Sequence, residues 1–211
     1  MPIEEKPEYA TRDMMRAMAH PLRLQILERV GRRGTARAAD VAADLGIPAN
    51  SVSYHLRILA RGGVVVEAPE AATDRRDRVW KLSRSSYRSD RHAAAANDPE
   101  VDEGEYVEAT GAMSIAAIDW IRGAWVAEAA RRAAAGEDSE PAIGSLFATT
   151  LHLTRAQAEE LSTLVTTKIA EFNRLNRDAE GVDLPADGEE EVSDYAVLYA
   201  LLADPRSAPS A

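Results

Sequence analysis

The sequence predicts a mostly helical chain with a small amount of sheet, an α+β architecture, and three observations lead there. Aromatic content is low at 5% and alanine is abundant, which favours helix over sheet. Residues 18–83 contain three short helical patterns followed by two strand-like runs around an arginine-rich turn. Residues 106–134 then resume a helical pattern, and two alternating runs bracket one more helix near the end. The expected order is an N-terminal winged helix-turn-helix, a long linking and dimerisation helix, and a small C-terminal strand-helix-strand domain.

The N-terminal elements follow from local signals. Residues 1–10 hold two prolines and charged groups and read as a flexible arm. Thr11 suits the cap of a first helix through Met14, Met15 and Met18, which ends near His20 because Pro21 disfavours helix in the residue before it. Pro21 fits the first turn of a second helix, with Leu22, Ile26, Leu27 and Val30 as its apolar stripe and Gly31 and Gly34 at its end. Residues 38–45 form a short helix, Gly46 provides a turn, and Pro48 opens a third helical pattern to about Arg61. Pro48 predicts a helix start without a hydroxyl cap. Gly62 and Gly63 stop this helix, and residues 64–67 and 78–82 pair as strands around the tip DRRDR.

The second half is less regular. Residues 84–104 lose periodicity and pass from basic to acidic, and residues 89–104 are assigned as a linker between a first unit (11–88) and a second (105–204). In the long helix Val107, Ser114, Ile118, Ile121 and Trp125 share one face, and Met113, Ala117, Trp120 and Ala124 widen it. So broad a band predicts contact on two sides, as when helices pair across a dimer axis, the alternative being a helix packed only within its own domain. Trp120 and Trp125 fit either such packing or the lining of a ligand pocket. Residues 145–152 alternate and read as a strand. Thr154 with Gln157 matches a capping box, starting a helix to about Arg177 that buries Ala158, Leu161, Val165 and Phe172. Residues 195–202 alternate again, and residues 205–211 form a proline- and serine-bearing tail expected to be disordered.

Composition narrows the function classes. The 211 residues contain no cysteine, which removes disulfides, thiolate nucleophiles and thiolate metal sites. No apolar run nears the roughly 20 residues needed to span a bilayer, and the first residues lack the order of a signal peptide, so a soluble cytoplasmic protein is expected. The net charge of −10 is unevenly placed. Residues 11–92 carry +7 (16 basic against 9 acidic residues), and the remainder carries −17 (9 against 26). Duplex DNA would be held by one part of the chain and repelled by the rest.

The third helical pattern carries the chemistry. At 100° per residue Val52, Leu56 and Leu59 fall on one face, and Asn50, Tyr54, Arg57 and Arg61 fall close to the opposite one. An amide, a phenol and two guanidiniums are the groups that read base edges and phosphates in a major groove. Arg75, Arg76 and Arg78 lie at or beside the wing tip, where an arginine-rich turn either reaches a minor groove or the flanking phosphates, or stays a solvated loop. His55 lies between the two faces, where phosphate contact and core-edge packing both fit. His20, before Pro21, suits capping or packing better than metal ligation.

The segments AHPLRLQIL (19–27), LGIPANSVSYHLRILARGGVV (45–65) and the wing ending at Trp80 resemble the ArsR-type winged helix-turn-helix regulators, in the branch with an appended α/β domain. The resemblance covers about a third of the chain. It implies that Asn50, Ser51, Ser53, Tyr54, His55 and Arg57 face the groove, with the wing arginines auxiliary. It also implies a homodimer on an inverted repeat, acting as a repressor on double-stranded DNA. Many relatives sense metals through cysteines or through paired histidines and aspartates. Here there is no cysteine, and His20, His55, His92 and His152 stand far apart in sequence, so no metal and no cofactor is expected. The second half is either a dimerisation platform or a sensor for a small-molecule effector. A protein-interaction module is the rival reading. No phosphate-binding glycine loop, nucleophile-base spacing or paired metal ligands favour an enzyme.

Overall fold

The computed structural model describes residues 9–72, 74, 77–84, 102–135, 146–179, 181–184 and 192–203. Its first helix, α1 (Arg12–Met18), is capped by Thr11, whose hydroxyl accepts the Met14 N–H at 3.2 Å. Helix α2 (Pro21–Arg33) has Pro21 in its first turn, where a missing N–H costs nothing, and the His20 ring as its cap. Gly31, expected to end α2, lies inside it. The stop is Gly34 at φ 68°, a conformation that favours a residue without Cβ, whereas Gly31 gives room to Leu82, 3.0 Å from where a Cβ would stand.

A two-residue strand, β1 (Ala36–Arg37), was not anticipated from the sequence, because two residues show no alternation. It leads into α3 (Ala38–Leu45), and Gly46 closes that helix in the left-handed region. Helix α4 (Ala49–Arg61) follows Pro48 with no side-chain cap bond. Strands β2 (Val65–Glu67) and β3 (Val79–Leu82) join β1 in an antiparallel sheet of order β1-β3-β2, with Ala36 opposite Trp80 and Val65 opposite Leu82.

One core unites these elements. Met15, Ile26, Val30, Val41, Val52, Leu56, Leu59, Val64 and Trp80 are buried together, so the periodicity of α4 selects its inward face as expected. Truncating a member such as Leu56 to alanine costs about 2–5 kcal/mol through lost burial and a residual cavity. Gly62 serves a close approach rather than a turn: a Cβ there would stand 2.3 Å from the Ala17 Cβ and 3.0 Å from the Asp13 carbonyl oxygen.

The long helix α5 (Glu103–Ala135) begins slightly before the expected start. Tyr106, Ala109 and Ala116 are buried, Ala109 belongs to the core just described, and the Tyr106 hydroxyl donates to the Ala10 carbonyl at 3.3 Å. Its N-terminal half thus packs on α1 and α2. The broad apolar band is split. The Tyr106–Ala109–Met113–Ala116 side covers the core, while Val107, Ile118 and Trp125 remain exposed.

The C-terminal expectations need correction. Helix α6 (Arg155–Phe172) starts with the expected capping box but ends five residues short of Arg177, buries no residue, and leaves Phe172 68% exposed. Ala158, Leu161 and Val165 are only half-buried. Residues 146–153 and 192–203 form no strand, and the expected strand-helix-strand domain is not assembled among the described residues. Alternation supplies strand propensity, but a strand also needs a hydrogen-bonded neighbour and a surface to cover. Phe147 and Leu202, 85% and 86% exposed, find neither. Arg75 and Arg76, most of the assigned linker and the tail lie outside the described residues.

Candidate nucleic-acid interface

Helix α4 is held by its buried side, so its opposite side is presented outward. Asn50, Tyr54, Arg57 and Arg61 are exposed, and Ser51, Ser53 and His55 are half-buried. Two of the exposed groups are already oriented. The Asn50 carboxamide oxygen accepts the Ser51 N–H at 2.9 Å, replacing part of the cap that Pro48 lacks, and the Arg57 guanidinium donates to the Ser53 carbonyl at 3.1 Å. Arg57 is therefore directed toward the N-terminal half of its own helix, the half that enters a groove in helix-turn-helix docking.

On one flank of α4, toward α3 and the wing, lies an open cleft of about 440 Å³. Ser53, Arg57, Arg78 and Trp80 line it together with Arg37 and Asp77. The structure brings Arg57 and Arg78, far apart in sequence, to one concave surface. Arg78 stands 3.6 Å from Glu67 in an exposed pair, which is weak and exchangeable for a phosphate contact. Arg37 went unnoticed in the sequence. It pairs with Asp40 at 2.8 Å and with Asp77 of the wing at 3.3 Å, and holds the Asp40 carboxyl below the usual carboxylate range. The signal available was the three-residue spacing Arg37–Asp40 at the start of α3.

On the other flank, α4 meets the N-terminus of α2. The His20 and His55 rings stand 5.0 Å apart with a 46° tilt, and the Tyr54 ring meets His55 edge-on at 5.3 Å. His20 does what its position suggested, its Nδ1 accepting the Leu22 N–H at 3.1 Å. Burial lowers both histidines from the ordinary value; Arg23 lowers His20 further, and His20 and then Arg23 lower His55. Both rings are held toward the neutral form near neutral pH.

Residues 18–68 match the family model of a helix-turn-helix domain. In fold this part of the chain is a helix-turn-helix. The match spans α2, α3, α4 and β2, the same elements that present the exposed face, and in general terms it supports a DNA-binding regulator. No curated protein matches the chain. Among the described residues no helix is long and apolar enough to cross a membrane.

Proposed function

We propose that the chain is a homodimeric, sequence-specific transcriptional repressor of ArsR type that binds an inverted repeat in double-stranded DNA. The observation that carries this reading is α4. Its Val52, Leu56 and Leu59 are locked in the core while Asn50, Tyr54 and Arg57 stand outward beside an arginine-lined cleft. Base selectivity comes from Asn50, Ser53, Tyr54 and Arg57, and affinity from arginine–phosphate contacts, with Arg75, Arg76 and Arg78 of the wing contributing evenly across sequences.

The dimer reading is supported by α5, whose Val107, Ile118 and Trp125 form an exposed apolar stripe about 100° around the helix from Tyr106. Two recognition helices in a two-fold dimer enter successive major grooves about 34 Å apart. The C-terminal half is the part left for an effector. Helix α5, which packs on α1 and α2, is the element through which a ligand bound there would act on DNA affinity. The protein is a binding protein, not an enzyme, and acts in the cytoplasm.

Fluorescence anisotropy tests this reading, with a labelled duplex from upstream of the protein's own gene against a scrambled duplex at two salt concentrations. The expected result is binding tighter by about 10³-fold or more to the native duplex. Failure to bind any duplex at either salt would favour a protein-interaction module, a second reading that the exposed Leu146, Phe147 and Leu202 support.

A further inference from the structure

The α2 side of the recognition helix carries a cluster with no structural explanation of its own. Of the arginines on α2, Arg29, Arg32 and Arg33 each pair with a carboxylate. Arg23 makes no ion pair among the described residues, and one of its terminal nitrogens donates to the Ala19 carbonyl at 3.2 Å. Its Nε is shielded from solvent and finds no hydrogen-bond partner. Nearby, His55 Nδ1 is in the same condition. Shielded donors and acceptors are ordinarily satisfied, because leaving one unpaired costs about 1–3 kcal/mol. Two on one small surface, one of them on a guanidinium that has no carboxylate partner among the described residues, leave this surface short of negative charge.

The surroundings define that acceptor. The titratable and charged groups facing His55 are His20 and Arg23 from α2 and Tyr54 from α4 itself. None is a carboxylate. His20 accepts with Nδ1, so its neutral ring carries its proton on Nε2, a further donor. A guanidinium, two imidazoles and a phenol fit an oxyanion.

Position says which one. A helix lying in a major groove has a phosphate backbone on either side. The arginine-lined cleft occupies one flank of α4, and this cluster occupies the other, beside the exposed Tyr54. We propose that His20, Arg23, Tyr54 and His55 form a second phosphate site, which takes a backbone phosphodiester of the duplex on the flank away from the wing. The proposal rests on the DNA-binding reading and adds to it two residues, His20 and Arg23, outside the groove-facing set.

The site links binding to protons. His55 is lowered from the ordinary histidine value in the free protein by burial, His20 and Arg23. A phosphate beside the His55 ring stabilises the imidazolium and raises that value in the complex. The complex therefore binds one proton more than the free protein between the two values. Affinity rises as pH falls through this window, by at most about tenfold per pH unit for one linked proton.

The test uses the full chain and a labelled mixed-sequence duplex, with anisotropy read at several salt concentrations from about pH 8 to about pH 6. The parent is expected to bind more tightly toward acid pH. His55→Gln flattens this pH dependence. Arg23→Ala lowers the slope of log affinity against log salt by about one, and Arg23→Lys restores it. Thermal unfolding of each variant confirms that it is folded. If the folded variants match the parent in affinity, salt slope and pH profile while the parent binds DNA, the second phosphate site is wrong and the DNA-binding reading stands. A parent that binds no duplex overturns both.

Discussion

Under the proposed function, sequence preference rests on Arg57 and Tyr54. Alanine at either leaves the buried face of α4 intact, so folding should be little changed while discrimination between duplexes falls by about 1–3 kcal/mol per lost base contact. Competition anisotropy with single-base-pair variants of the native duplex reads this directly; unchanged preference would mean another face reads the bases. A different kind of dependence holds at Gly62. Its φ of −79° suits any residue, yet a Cβ would collide with Ala17 and the Asp13 carbonyl. Gly62→Ala should destabilise the fold by about 1–3 kcal/mol, seen as a lower denaturant midpoint, because α1 must move away from the end of α4. The glycine's role at a helix end was legible in GGVV, but its contact with α1 was not, since nothing local links residues 17 and 62.

At the scale of elements, α2 is a junction. Its N-terminus meets α4 through His20 and His55, and its C-terminus meets the acidic segment near the end of the chain. Arg32 pairs with Asp183 and Asp194, Arg29 stands 3.4 Å from Asp194, and the Asp183 N–H donates to the Arg32 carbonyl at 3.0 Å. Hydrogen bonding to Arg32 holds the Asp194 carboxyl below the usual carboxylate value. A carboxylate so lowered strengthens the attachment above its unfolded value, and the contribution is lost as pH falls through the lower folded value. Docking of this segment should therefore hold at neutral pH and loosen below about pH 4. Amide NMR shifts of Val182 and Asp183 should move toward unstructured values there, and Asp194→Asn should loosen the segment already at neutral pH. Helix α5 behaves differently because Val107, Ile118 and Trp125 are exposed on it. Ile118→Glu with Trp125→Glu should leave helix content unchanged and convert the proposed dimer to monomer in sedimentation velocity. A parent already monomeric would remove the dimer from the proposal.

For the whole molecule, the division of charge is the governing fact. A basic helix-turn-helix unit is joined to an acidic remainder within a chain of net charge −10. Part of the acidic charge is spent within the chain, on Arg29 and Arg32, and part stays solvated. Under the proposed function DNA contact is expected on the α4 side, and duplex affinity should fall steeply with salt, as released counterions require. A salt-independent affinity would argue against phosphate contact altogether.

What could be read from the sequence was the local part. The caps at Thr11 and Thr154, the proline start of α2, the boundaries of α3, the length of α4 and its inward face all appear where propensity and period place them. Each depends on residues within a few turns of one another. Three things were decided only by tertiary structure. The long apolar band of α5 proved to be two faces, because only α1 and α2 determine which side is covered. The alternating runs at 146–152 and 195–202 formed no strands, since a ladder needs a partner that alternation cannot supply. The clusters flanking α4 joined Arg37 to Arg57 and Arg78, and His20 and Arg23 to Tyr54 and His55, across gaps that no local spacing encodes. Propensity acts along the chain, while burial and hydrogen bonding act through space, and a binding surface is made by the second.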